Sequence, residues 1–519
     1  MRSDVLIGVD AGTSVIKAVA YDLSGRQLAL AHRRNVYRSL ADGGVEQDMA
    51  STWRNTSAVL MELIERLPGD ASNVLALAVT GQGDGTWLVD ADGEPVHDGW
   101  LWLDARSADT ARDLANSEAI DTIYQETATG LNVCQMRTQL VHMARHQPEL
   151  LKRSAAALHC KDWLYFKLTG VIASDVSEAG FTFCSYKTGA YSEAVIDALG
   201  LGAHRHLLPP IVDGTRQAGA LTTEAAAVTG LPAGLPVCLG GVDVMCCALG
   251  AGLHDAAADR GVTILGSTGM HMRFVPTADQ VVLNPERSGY TMPFPGGAFA
   301  QIQTNMAATL NIDWALGLMR EMLLDCGVEK TQDELLAGLD DKILAARPGT
   351  AFYLPYISSA GERGPFADPS ARAALTGMDQ NTGWFDILRS IFDGLVLATR
   401  DCYRALGHVP GEIHLTGGAA RSRALKKLLA AALRAPIKTV AQPEAGTAGT
   451  VMMAAVQLGL YPDLTSATRA WVDPLVEPAE EPDPELADTF DTLFSAYLAT
   501  REAMPETWAA QALARRKLL

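Results

Sequence analysis

Two stretches far apart in the chain carry one pattern, and that repetition limits the possible folds more than any other feature. Val5-Leu6-Ile7-Gly8 leads into Gly12-Thr13-Ser14, and Val262-Thr263-Ile264-Leu265 leads into Gly266-Ser267-Thr268-Gly269. Each reads as a buried strand feeding a turn of glycine and hydroxyl residues. Glycine lets backbone N–H groups approach an anion closely, and the hydroxyls add donors. The pattern predicts two similar domains, residues 1–253 and 254–519, facing each other across a ligand-binding cleft. The small-residue stretch 248–253 is the expected boundary. Taken singly, each turn also fits a packing-only reading, because glycine-bounded strands are common in α/β proteins.

The rest of the chain supports α/β layers. Strand-like runs at 5–9, 16–22, 75–80, 86–90, 261–266 and 412–417 alternate with helical patterns such as 390–406 and 420–432. The acidic, proline-containing segment 477–485 reads as an exposed connector. No apolar run approaches the roughly 18 residues that span a bilayer, and the N-terminus enters a strand without a secretory apolar segment. The eight cysteines form no C-x-x-C pair, and Cys246-Cys247 are adjacent, which suits neither a simple disulfide nor zinc. A reduced, cytoplasmic protein is expected. The formal charge of −18 argues against nucleic acid as a partner. An anionic nucleotide must then be held by local donors and a divalent cation, not by the overall field.

Several nucleotide and hydrolase signatures are missing: the P-loop, the dinucleotide-binding G-x-G-x-x-G, H-E-x-x-H and G-x-S-x-G. Five spaced motifs stand in their place. The first is the opening loop, V-L-I-G-V-D-A-G-T-S-V-I-K. The others are T-G-Q-G-D-G-T-W-L-V-D at 80–90, L-G-G-V-D-V-M-C-C-A-L-G at 239–250, I-L-G-S-T-G-M, and H-L-T-G-G-A-A-R-S-R-A-L-K-K-L-L-A. In the fifth, a strand at 413–416 breaks at Gly417-Gly418 and a helix begins near Arg421 or Ser422. That geometry suits a phosphate or a flat ring at a helix N-terminus. Asp10 sits inside the first loop, where it either faces a cation or caps a tight turn. Asp243 follows a glycine-rich apolar run and is expected at a strand end beside the cleft, with a helix N-cap as the plainer alternative. Gln82-Gly83-Asp84 offers amide and carboxylate groups to several hydroxyls.

In their order and spacing these motifs resemble the FGGY family of carbohydrate kinases, within the sugar-kinase/actin/Hsp70 superfamily. The resemblance spans nearly the whole chain. It extends to V-E-Q-D at 45–48, K-D-W-L-Y-F-K-L-T-G at 161–170, L-P-P-I-V-D-G-T-R-Q-A-G at 208–219, Y-L-P-Y-I-S-S-A-G-E-R-G-P-F at 353–366 and R-S-I-F-D-G-L-V-L-A-T-R-D at 389–401. It implies two ribonuclease-H-like domains flanking a catalytic cleft, with ATP and Mg²⁺ as cofactors and a small polyol or sugar as acceptor. By the same resemblance Asp10 faces the magnesium through water, and Gly12, Thr13, Ser14 and Lys17 lie on the phosphate side. Gly266 and Ser267 contact the β- and γ-phosphates, while Gly417, Gly418, Ala419 and Ser422 line the adenosine site. Gln82, Gly83, Asp84, Trp102 and Asp243 bind the acceptor, with Asp104 and Arg106 behind them. Asp243 is the implied general base. A carboxylate is too weak to ionise an alcohol beforehand, but in a loose transition state the proton leaves late and orientation contributes much of the acceleration. Lys17 also fits a solvated strand position, and Trp102 a core position.

The acceptor is narrowed by departures from pattern. Glycerol kinases carry N-Q-R-E where this chain has G-Q-G-D, and Gln where it has Val244. Xylulose kinases usually show G-Q-M-H-G where it has G-Q-G-D-G. The loop looks most like that of kinases acting on erythritol, with related loops in L-xylulose kinases. Phosphorylation of a terminal hydroxyl of erythritol is expected, with L-xylulose or another pentulose as the alternative. An actin- or Hsp70-like ATPase without a sugar pocket is the rival of a different class. Homodimers are common in the family, though no motif here specifies one.

Overall fold

A computed structural model describes residues 4–518. Its framework is two six-stranded sheets of the same design. In the first, β1 (Val5–Ala11), β2 (Val15–Asp22) and β3 (Gln27–Arg34) form an antiparallel meander. Parallel to β1 runs β4 (Val74–Gly81), and the sheet continues outwards through β6 (Pro236–Leu239), parallel to β4, to the antiparallel edge strand β5 (Gly219–Ala220). The second sheet repeats the scheme. Strand β7 (Arg260–Leu265) pairs antiparallel with β8 (Gly269–Val275), which pairs with β10 (Phe299–Asn305), and β10 with β9 (Tyr290–Pro293). Parallel to β7 runs β11 (Glu412–Thr416), followed by β12 (Ile437–Thr439).

The repeated sequence pattern therefore corresponds to two like-built sheets. β1 is apolar at Val5, Leu6, Ile7 and Val9 because helices cover both of its faces, and all four side chains are buried. In open α/β sheets ligands gather beyond the carboxyl ends of the parallel strands. Asp10 pairs with Thr80 at that end of β1 and β4, and the Gly240–Asp243 segment leaves β6 beside them. Asp243 opens the helix α1 (Asp243–Gly250), and its carboxylate accepts from the Val244 N–H at 2.7 Å. Val242 is the N-cap residue and Asp243 the first residue of the helix, so Asp243 is not the cap that the plainer alternative expected.

One helix of the second half packs deep against the first sheet. The helix α3 (Ala445–Gln457) lies in the second half of the chain but packs on β1, β4 and α1. Its contact is close enough that a Cβ at Gly8 would meet Thr447 O and Val451 Cγ2 at 2.8 Å. Between β11 and β12 runs α2 (Arg423–Leu433), whose Ser422 cap accepts from the Leu425 N–H at 3.2 Å. One tight turn, Gly418–Arg421, precedes it. Among the described residues, no helix is long and apolar enough to cross a membrane.

Candidate active site

A cavity of about 350 Å³ opens between the two sheets. Thr13, Asp84, Trp102 and Asp243 line it from the first half of the chain, and Tyr290, Asn305 and Arg363 from the second. Asp243 is one of the two carboxylates singled out from sequence, and the other, Asp10, is near enough for its charge to act on it. Asp243 is pushed up to about 7, first by burial and then by the charge of Asp10. Asp10 is pushed up to about 6 by burial, with Lys17 opposing and Glu444 adding to the rise. The two groups feel each other across one gap. Asp10 is a strand residue paired with Lys17, and among the described residues its Oδ1 has no hydrogen-bond partner. Capping a turn is therefore not its role.

A divalent cation fits here. It would give Asp10 Oδ1 the partner it lacks and offset two carboxylates held close together. Among the described residues, no cluster of three or more His, Cys, Asp or Glu side chains is arranged for a metal. Such a cation would take its remaining ligands from phosphate and water, as Mg²⁺ commonly does.

The same shifts predict a pH effect on stability. Ionising either carboxyl costs more in the folded protein than in the unfolded chain. The stability associated with the neutral forms is intact below about pH 4. It is lost as pH rises through about 6 for Asp10 and about 7 for Asp243. Asp243→Asn is thus expected to melt several degrees above the wild type at pH 8 in metal-free buffer, with the gap shrinking towards pH 5. A variant that melts below the wild type at pH 8 would contradict this electrostatic picture.

The acceptor loop is built in layers. Gln82 is buried, and its amide is engaged by protein: Thr13 Oγ1 donates to Oε1 at 2.7 Å, and Nε2 donates to Gln47 at 2.7 Å. Thr13 in turn accepts from Trp102 Nε1 at 2.8 Å, which fixes the indole against the cavity. Gly83 has no room for a side chain, since a Cβ there would lie 2.3 Å from Val242 Cγ2. Asp84 adopts a left-handed backbone, φ 54°, and its N–H donates to Glu178 Oε1 at 2.9 Å. Its Oδ2 accepts from Tyr290 OH at 3.3 Å and from Cys134 Sγ at 3.6 Å. Its Oδ1 has no partner among the described residues. Asp104 and Arg106 lie behind this wall: Arg106 Nη2 donates to Asp104 at 2.6 Å and Nη1 to Glu46 at 2.8 Å, with the guanidinium 3.6 Å from the Trp100 ring centroid.

The phosphate-side residues separate. Ser14 is exposed at the β1–β2 turn, Gly12 O accepts from Asn35 Nδ2 at 3.2 Å, and Lys17 pairs with Glu444 at 2.8 Å. Across the cleft, Thr309 N and Ala308 N donate to Gly266 O and Ser267 O at 3.0 and 2.7 Å. These bonds hold that turn against a helix start. Gly418, Ala419 and Ser422 line a second cavity of about 460 Å³, walled by Ile312, Asp313 and Phe392, and Ser422 Oγ donates to Asp340 at 2.7 Å. Gly417 precedes that cavity at the end of β11.

A buried ionic cluster underlies both acceptor loops. Lys161 is wholly buried, with Nζ 2.6 Å from Asp162, 2.7 Å from Asp175 and 3.8 Å from Glu178. Asp175 accepts from Ser177 Oγ at 2.6 Å, and that hydroxyl accepts from the Val242 N–H at 3.0 Å, one residue before Asp243. Glu178 holds the Asp84 N–H. One lysine thus organises the carboxylates that orient both Asp84 and Asp243. Its sequence signal is Lys161-Asp162, a charged pair beside the buried Trp163, Leu164 and Tyr165.

Two like-built lobes with an acidic residue, Asp243, in the cleft cavity and a second cavity beside a helix start form an arrangement suited to phosphoryl transfer. Comparison with known proteins refines the class. The N-terminal domain of the FGGY family of carbohydrate kinases matches residues 5–250, and its C-terminal domain matches residues 261–458. The chain belongs to this family of ATP-dependent kinases. It is 48% identical over 508 residues to the erythritol kinase of Brucella abortus (strain 2308), covering 98% of both chains. A xylulose kinase of Staphylococcus epidermidis (strain ATCC 12228 / FDA PCI 1200) is 26% identical, over 96% of this chain and 97% of that one. Among solved structures, xylulose kinase from Rhodospirillum rubrum has a TM-score of 0.86 at 25% identity, over 97% and 100% of the chains. Plasmodium falciparum glycerol kinase with ADP shares the fold alone, with a TM-score of 0.81 at 16% identity, over 96% and 98%.

Proposed function

We propose that this protein phosphorylates a terminal hydroxyl of erythritol, using ATP with Mg²⁺. The observation that carries the reading is the extent and level of its likeness to an erythritol kinase, 48% over 98% of both chains. The site chemistry agrees. Asp243 accepts the proton of the attacking hydroxyl, and as an N-terminal helix residue held by the Val244 N–H it needs little reorientation. Asp10 would face the cation, and the turn at Gly266-Ser267 serves the phosphates. When bound, the cation offsets charge on the transferring phosphoryl group. Gln82, through Thr13, keeps Trp102 against the acceptor. The cavity at Gly418, Ala419 and Ser422 takes the adenosine.

ADP release with erythritol, L-xylulose, D-xylulose, D-ribulose and glycerol tests the reading. Erythritol is expected to give the highest kcat/KM. A ketopentose in first place would overturn the substrate assignment, and hydrolysis independent of any acceptor would overturn phosphoryl transfer.

A further inference from the structure

The wall of the acceptor cavity contains a pair of complementary charges that comes from both halves of the chain. Asp84 supplies an unpartnered carboxylate oxygen from the first half. Arg363 comes from the second, on the segment after strand Phe352–Leu354. Its backbone is anchored on both sides. Glu362 Oε1 accepts from the Arg363 N–H at 2.8 Å and from the Met306 N–H at 2.9 Å, and Gly364 O accepts from Asn305 Nδ2 at 2.8 Å. The guanidinium crosses to the first half, where Nη1 donates to Cys134 Sγ at 3.8 Å. Cys134 is also the thiol beside Asp84 Oδ2. A guanidinium has five N–H donors, so this contact leaves most of them for the cavity.

The geometry points to Arg363 as a specificity-determining residue that, with Asp84, reads hydroxyls at the end of the acceptor remote from the transferred phosphoryl group. An ionised carboxylate only accepts and a guanidinium only donates. A hydroxyl does both, so it satisfies Asp84 Oδ1 and Arg363 together. A methyl group satisfies neither and leaves two buried polar groups unmet, which a hydrogen-bonding site rejects strongly. The packing at Gly83 leaves no room for a cationic side chain at that position, and the positive charge in the cavity wall comes from the opposite lobe. The preferred acceptor is therefore one that carries a hydroxyl at that end. This deepens the erythritol reading and rests on it for the choice of acceptor.

The test compares erythritol with both enantiomers of 1-deoxyerythritol, in the wild type and in Arg363→Gln and Arg363→Lys. Arg363→Gln is expected to lower kcat/KM for erythritol by about 100-fold, mainly through KM, and for the deoxy acceptor by less than about 5-fold. Arg363→Lys should recover part of the discrimination, because it restores the charge without the planar fork. A parallel fall for both acceptors, or preserved discrimination in Arg363→Gln, would overturn the role. The two readings fail separately. If the wild type instead prefers a ketopentose, the erythritol assignment falls, and the same comparison with that ketose and its distal deoxy analogue still decides Arg363.

Discussion

Asp243→Asn is expected to reduce kcat by between about 10² and 10⁴, the usual contribution of a positioned general base. Asparagine keeps the acceptor oxygen facing the Val244 N–H, so the helix start survives. It cannot take a proton. ATP affinity, read by calorimetry with a non-hydrolysable analogue, should change by less than about threefold, because uniform binding contributes nothing to the chemical step. The expected rise in melting temperature at pH 8 rules out misfolding as the cause of the loss. Turnover near the wild-type rate would remove Asp243 from the base role.

Lys161→Met is expected to carry the largest stability cost, about 3–5 kcal/mol, the usual cost of breaking a buried ion pair by removing one partner. Methionine fills most of the volume but leaves Asp162, Asp175 and Glu178 without their cation. The cluster is already short of positive charge. Lys161 and His159 hold Asp162 down at about 2, whereas burial and the neighbouring carboxylates keep Glu178 well above the usual carboxylate range. Urea unfolding at pH 7 measures the loss. Because Asp175 and Glu178 lead to the Asp243 and Asp84 loops, KM for the acceptor should also rise in whatever fraction stays folded. A midpoint indistinguishable from the wild type would show that the carboxylates find other partners.

What the sequence made legible follows from how local each signal is. A buried strand running into a glycine turn is a contiguous pattern, so the two like-built sheets are legible in the sequence, whereas Asp10 lies within the strand and not in the loop after it, and Asp243 lies in the first turn of a helix. Trp102 was ambiguous between core and pocket, and its half-buried ring against Thr13 is both. Gln82 carries the right groups for a polyol, yet its amide faces Thr13 and Gln47, two partners that nothing in the loop announces. Lys17 meets Glu444 from α3, and only the packing of that helix on the first sheet brings them together. Nothing local in G-E-R-G-P marks Arg363, and its position in the cavity depends on the lobes meeting there.

The most direct test of the account is a crystal structure with erythritol and a non-hydrolysable ATP analogue bound. One terminal hydroxyl oxygen is expected within hydrogen-bonding distance of the Asp243 carboxylate, with the opposite end of the polyol against Asp84 and Arg363. An acceptor bound outside this cavity, or one with both terminal hydroxyls turned away from Asp243, would contradict it.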